Sequence, residues 1–164
     1  MPHSPNREPL PHAQIGMVLG LLEHLSEAPS GREDLYKLGG PLGYELDDLL
    51  PVTEAAKRLG FVKIASGDIE LTDAGRALAA AAEPERKGRI RDSILKLPLV
   101  AEIHDAARRA GGRVARDGFL EHLTEHFSPS EAERQLATAL DWARYGEVFD
   151  FDPDAEDFLL PPAE

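Results

Sequence analysis

The sequence predicts a mainly α-helical chain with small β-hairpins, built on one plan used twice. Three observations predict it. Apolar residues recur at helical spacing along most of the chain. Two stretches break that spacing, "FVKIASGDIEL" and "EVFDFDPDAEDFLL", and read instead as strand, turn, strand. Each follows a glycine, Gly60 or Gly146, placed to close a helix.

Residues 1–12 hold four prolines and little apolar surface, and read as a flexible arm. Ile15, Val18, Leu19, Leu22 and Leu25 then fall on one face of a first helix. "APSG" stops it, and Ser30 is expected to cap a second, shorter helix through "REDLYKL". "GGPLG" breaks the chain again. "YELDDLLPVTEAAKRLG" is a third helix, with Pro51 near its start and Gly60 as its C-terminal stop. Phe61–Ala65 and Ile69–Leu71 form a hairpin around Ser66, Gly67 and Asp68. Thr72 is expected to cap a long helix running through 72–96.

The second half repeats this order. "LPLVAEIHDAARRAGG", "ARDGFLEHLTEHFS" and "SEAERQLATALDWARYG" are helices. In the last, Ser130 and Glu133 have the spacing of a capping box. Gly146 precedes "EVFDF", an acidic turn and "FLL". Setting Arg32 against Arg116, and Gly60 against Gly146, places both halves in one frame. Three helices followed by a hairpin is the plan of a winged helix. The expected architecture is therefore tandem winged-helix-like units joined by a long helix. Its divisions are an arm at 1–12, a first unit at 13–83, a linker helix at 84–97, a second unit at 98–160 and a tail at 161–164.

Composition limits the function. Among 164 residues there are 18 Lys and Arg against 30 Asp and Glu, a net charge of -12. That argues against a general nucleic-acid binder, which needs clustered cations, but leaves room for a local basic face. Without Cys there is no disulfide, thiolate nucleophile or Cys-ligated zinc. No apolar run reaches the roughly 20 residues of a membrane span. The first residues have no apolar signal-peptide core, so a cytoplasmic location and no membrane insertion are expected.

The stretches "ELDDLLP", "LGF", "GDIELTDAGRA", "ERK", "LPLVAEI", "FLEHLTEHFSPSEAERQL" and "DWARYGEVF" occur in this order over about residues 13–151. In that order they resemble the AAA-associated domain at the C-terminal end of ATP-binding subunits of nitrate/sulfonate/bicarbonate-type ABC transporters. The resemblance implies a regulatory or docking role beside a transporter ATPase. It implies no catalytic residues. The sequence has no G-x-x-x-x-G-K-[ST], the loop whose backbone and Lys cradle nucleotide phosphates. The domain is thus either encoded alone or a piece of a longer ATPase.

Few residues suggest chemistry. His122, Glu125 and His126 match an H-x-x-E-H order, but a zinc peptidase also needs a third ligand and a dry cleft. Asp150–Asp157 begins like a calcium loop, yet Ala155 stands where Gly belongs and Pro161 where Glu belongs. Neither cofactor nor metal is expected, and no hydrolase triad is visible. Trp142 and Tyr145 lie on one side of the last helix, as an interface anchor or as core under the hairpin. Between Arg86 and Arg116 lie nine cations, Arg86, Lys87, Arg89, Arg91, Lys96, Arg108, Arg109, Arg113 and Arg116, against Asp92, Glu102 and Asp105. This strip is either a solvated, internally balanced segment or a docking surface for an acidic protein.

The candidate partner-binding residues are therefore Arg86, Lys87, Arg89, Arg108, Arg109, Arg113, Arg116, Trp142 and Tyr145. The expected function is non-enzymatic, regulatory or docking, through protein–protein contact with an ABC transporter ATP-binding subunit or another protein, with self-association as a homodimer the further expectation. The alternative is a winged-helix transcription regulator binding DNA through segment 86–116. Both candidate recognition helices are net acidic, which weighs against DNA.

Overall fold

The computed structural model describes residues 9–43 and 45–162. The chain is mainly α-helical with two small antiparallel sheets of three strands each. It divides into two compact units, Pro11–Arg89 and the chain from Ile90 onward, with Leu10 belonging to the second.

The first unit begins with α1, Ile15–Ser26. Its buried face is Ile15, Val18, Leu21, Leu22 and Leu25. Leu21 takes the deep position that the spacing gave to Leu19, which is half-buried. The expected second helix is not one. Ser30 and Gly31 both adopt positive φ and turn the chain into strand β1, Arg32–Asp34. Pairing with a later strand outweighs the helical propensity of these three residues. Asp34, not Ser30, does the capping, accepting from the Tyr36 N–H at 2.8 Å at the head of a single 3₁₀ turn. A one-turn helix α2, Gly39–Leu42, follows, and then α3, Leu46–Arg58. Pro51 lies inside α3 rather than near its start.

Gly60 ends α3 as the sequence suggests, at φ 88°, and Phe61 N–H then donates back to the Ala56 carbonyl. Strands β2, Val62–Ala65, and β3, Asp68–Leu71, pair around a two-residue turn. Ser66 and Gly67 both have positive φ there, the type I′ geometry that matches strand twist. The strand order is β1-β3-β2, so β3 is central. Its Ile69 is fully buried with Val18, Leu22, Leu49 and Leu78.

Thr72 caps α4, Asp73–Ala80, accepting from the Gly75 N–H at 3.0 Å. The expected helix over 72–96 is divided. Pro84 disfavours helical backbone at Glu83, and the next helix is α5, Glu85–Ile94.

The second unit repeats the topology with α6, Pro98–Arg109; β4, Arg113–Ala115; α7, Arg116–Leu123; α8, Pro129–Tyr145; β5, Asp150–Asp152; and β6, Asp157–Leu159. Its strand order is β4-β6-β5. The N-cap of α8 is Ser128, accepting from Glu131 N–H at 3.1 Å, with Pro129 in the first turn. The cap thus sits two residues before Ser130, because Pro favours the first helical position. Trp142, Phe149 and Phe158 are fully buried and form its aromatic core.

Backbone pairing fixes the internal equivalence. Arg32 opposes Glu70 as Arg113 opposes Leu159. Leu35 N–H donates to Gly67 O as Arg116 N–H donates to Glu156 O. Phe61 N–H bonds Ala56 O as Val148 N–H bonds Ala143 O. So Arg32 corresponds to Arg113, not Arg116, and Gly60 to Glu147, not Gly146. Glu147 carries the left-handed φ of 59°. Gly146 is small for another reason: a Cβ there would lie 3.3 Å from the Arg91 backbone.

Residues 9–12 of the expected arm are placed. Leu10 is buried, and Gln135 grips its peptide from both sides. Leu10 N–H donates to Gln135 Oε1 at 2.7 Å, and Gln135 Nε2 donates to the Leu10 carbonyl at 3.1 Å. The rest of the arm, residues 1–8, lies outside the described residues.

The closest packing against a glycine is at Gly75, where a Cβ would overlap the Phe61 carbonyl oxygen. Gly75→Ala should therefore destabilise the chain by about 2–4 kcal/mol. Gly20→Ala, mid-helix in α1 with open space around it, should stabilise by about 0.5–1 kcal/mol. Urea denaturation of both variants checks the pair, and equal stabilities would refute the packing argument.

Candidate functional site

The cations of segment 86–116 are arranged by carboxylates and carbonyls, some local and some distant in sequence. Arg86, Lys87 and Arg89 belong to the first unit and the others to the second. Arg86 is 17% exposed. Its Nε and Nη2 donate to the Ala81 and Ala79 carbonyls at the end of α4, and its Nη1 donates to Glu23 at 3.0 Å. Its fork is engaged in closing a helix end. Arg89 pairs with Glu85 one turn away at 2.8 Å. Arg91 donates to Gly146 O at 2.7 Å and faces Glu147. Arg113 bridges Asp152 and Asp157 across the β5–β6 hairpin. Arg116 is 19% exposed and held by Glu133 at 2.8 Å. Arg108 and Arg109 share Asp105, yet remain 65% and 76% exposed. These two are the most exposed of the paired arginines in the candidate list, ahead of Arg113 at 51% and Arg89 at 45%. Trp142 is fully buried, so it belongs to the core and offers no surface anchor. Tyr145 is half-buried at the end of α8.

Three carboxylates show the cost and gain of these arrangements. The hydrogen bond from Arg108 holds Asp105 below the usual aspartate range. Burial pushes Asp150 up, but the Phe151 N–H and Arg144 outweigh it and hold it low. Asp152 is held low first by the Ala155 and Asp154 N–H groups, and only secondarily by Arg113. The acidic hairpin turn is thus wired by its own backbone, as an Asx turn rather than a cation loop.

His122 and His126 face each other edge to face with centroids 6.1 Å apart, and His122 Nδ1 lies 4.0 Å from Glu125. Among the described residues no three His, Asp or Glu side chains gather around a common point. Likewise, no helix among them is long and apolar enough to cross a membrane.

A further cluster escaped the sequence reading. Glu70 on β3 lies opposite both Arg32 on β1 and Lys63 on β2. Glu70 Oε1 is 3.3 Å from Arg32 Nη2 and 3.8 Å from Lys63 Nζ. Glu70 Oε2 is 3.6 Å from Arg76 Nη2, delivered by α4. Lys63 and Glu70 flank the Ser66-Gly67 turn symmetrically, so their pairing was legible. Arg32 was not, because β1 was read as helix.

These features define a mainly helical domain of two similarly built units, each with a three-stranded antiparallel sheet. The family model of the C-terminal AAA-associated domain matches residues 36–152, and the chain belongs to that family. No curated protein and no solved structure matches it.

Two outcomes are expected. Asp105, Asp150 and Asp152 should titrate below the usual aspartate range, so their contribution to stability is present above that range and lost as pH falls through the depressed values. Carboxyl NMR titration checks this, and midpoints at ordinary values would contradict it. After dialysis against a weak chelator, elemental analysis should find far less than one zinc per chain. Stoichiometric zinc abolished by His122→Ala would reverse the reading of that pair.

Proposed function

We propose that this domain is a non-enzymatic accessory to an ABC-type transporter ATPase, working by protein contact on the cytoplasmic side. One observation carries the reading: more than half the chain matches a family of domains associated with AAA ATPases. Each unit runs helix, strand, helix, helix, strand, strand, the order of a winged helix, with α4 following the sheet in the first unit, and its surface charge suits protein rather than DNA. The first turn of α3 carries Asp47 and Asp48, and Glu54 is exposed further along. That is the element a helix-turn-helix reader would place in the major groove, and phosphate would repel it.

Within segment 86–116, contact falls to Arg108 and Arg109. Arg86 and Arg116 are less than one-fifth exposed, whereas these two are more than three-fifths exposed. Their place in the last turn of α6 favours cations and tolerates substitution.

Arg108→Glu with Arg109→Glu should weaken binding to a transporter ATP-binding subunit by about tenfold or more, mainly through a slower association rate. Surface plasmon resonance at two salt concentrations checks this, since exposed charge attraction is screened within ~8 Å at physiological strength. An ATP-binding subunit with no measurable affinity for the wild-type chain would overturn the proposal. So would tight binding to duplex DNA that the double reversal abolishes.

A further inference from the structure

We propose that Arg32, Lys63 and Arg76 form a carboxylate-binding site on the first unit, which receives an acidic segment of a partner protein. The proposal rests on the reading that the domain acts by protein contact, and adds a docking point on a different unit from Arg108 and Arg109.

The cluster has more cation than it can neutralise. Three cations converge on the single carboxylate of Glu70, whose two oxygens lie 3.3 to 3.8 Å from them. Arg86 and Arg113 behave differently. Arg86 engages all three of its guanidinium nitrogens, and Arg113 has two carboxylates to itself. Arg76 makes both its contacts through Nη2, to the Ser30 carbonyl at 3.1 Å and to Glu70. Among the described residues its Nε and Nη1 have no partner. A guanidinium carries five donors in a planar fork, so one edge of this fork remains able to take a carboxylate in bidentate fashion.

The surroundings suit a side chain rather than a lone ion. Arg76 and Glu70 line an open cleft of about 530 Å³ together with Ser30, Gly31, Leu71 and Ala79. Its small and apolar walls can receive the aliphatic stem of a Glu whose carboxylate meets Arg76. Gly31 keeps that approach open, since a Cβ there would sit 3.3 Å from Arg76 Nη2. Lys63 and Arg32 lie on the same sheet face and offer a second and third carboxylate contact.

The site is particular to this unit. At the same register positions the second sheet carries Arg113, Leu159 and Asp150, so its row has a cation, a hydrocarbon and an acid. Nucleic acid suits the cluster less well. Asp34 opposes Asp68 two residues along the same sheet, and the exposed acids of α3 lie on the same unit. An extended duplex would meet these acids, whereas a short acidic segment need touch only the cluster.

The test uses the full chain and a fluorescent, end-blocked hexaglutamate peptide, read by anisotropy. Arg76→Gln with Lys63→Gln should weaken binding about tenfold. Glu70→Gln, which removes the competing carboxylate, should tighten it, a gain that loss of structure cannot mimic. Arg108→Gln with Arg109→Gln should leave it within about twofold, since these residues belong to the other unit and share no partner with the cluster. Unchanged affinity in the Arg76, Lys63 variant, with circular dichroism intact, would overturn the site. So would displacement of the peptide by a random duplex, or by inorganic phosphate, at lower concentration than by unlabelled hexaglutamate. If the peptide binds through the cluster while no ATP-binding subunit binds the chain, the site stands and the ATPase assignment falls. If an ATP-binding subunit binds but the peptide does not, the reverse holds.

Discussion

The first unit depends on the joint where α3 becomes a hairpin. Gly60 takes the left-handed turn, and Phe61 folds back to bond Ala56. The same two residues then receive the far end of the hairpin. Thr72 donates its hydroxyl to the Gly60 carbonyl at 2.7 Å, and its N–H to the Phe61 carbonyl at 3.0 Å. From there Thr72 caps α4, and Gly75 lets that helix lie directly on Phe61. One helix end, two strands and the start of the next helix are therefore fixed by a handful of backbone groups. The Phe61, Ala56 and Gly75 groups among them are buried and would be costly to leave without a partner.

The consequence reaches the surface. α4 presents Arg76 beside Glu70 because the joint sets where the helix starts. β1 presents Arg32 opposite Glu70 because the Ser30-Gly31 turn feeds it onto the free edge of β3. Arg32 lies 38 residues from Glu70 in sequence, and Arg76 comes from the helix after the strand. Among the described residues the last element of the second unit is β6, and its equivalent joint carries Glu147 instead of a glycine. Its hairpin is held by Arg113 and by Asp152 gripping its own turn. One topology thus supports two surfaces of different charge.

Much of this was legible. Gly60, the Ser66-Gly67 turn and the Thr72 cap each announce themselves through residues with few alternative uses. The helical stripes of α1, α3, α6 and α8 follow from apolar spacing alone. The short strands β1 and β4 were not legible, because three residues carry no usable period and their identity comes from pairing with strands far along the chain. That miss propagated. With β1 read as helix, the halves were aligned on Arg116 instead of Arg113, and the cross-strand row around Glu70 stayed hidden. The Leu10 clasp was hidden too, since it depends on a buried Gln135 over a hundred residues away.

The candidate site teaches a related point about charge. A run of cations in sequence marks where positive charge is made, not where it is available. In segment 86–116 many of the acids that answer it come from elsewhere: Glu23 from α1, Glu133 from α8, Glu147, Asp152 and Asp157 from the region of the last hairpin. An exposed pair of this kind contributes only about 0–1 kcal/mol to stability, but it lowers the field that a partner would feel. Around Glu70 the ratio runs the other way, with three cations from three elements meeting one acid. The local field therefore favours a carboxylate on a chain whose total charge repels one. Recognition by such a surface is set by which donors remain without partners once the chain has folded.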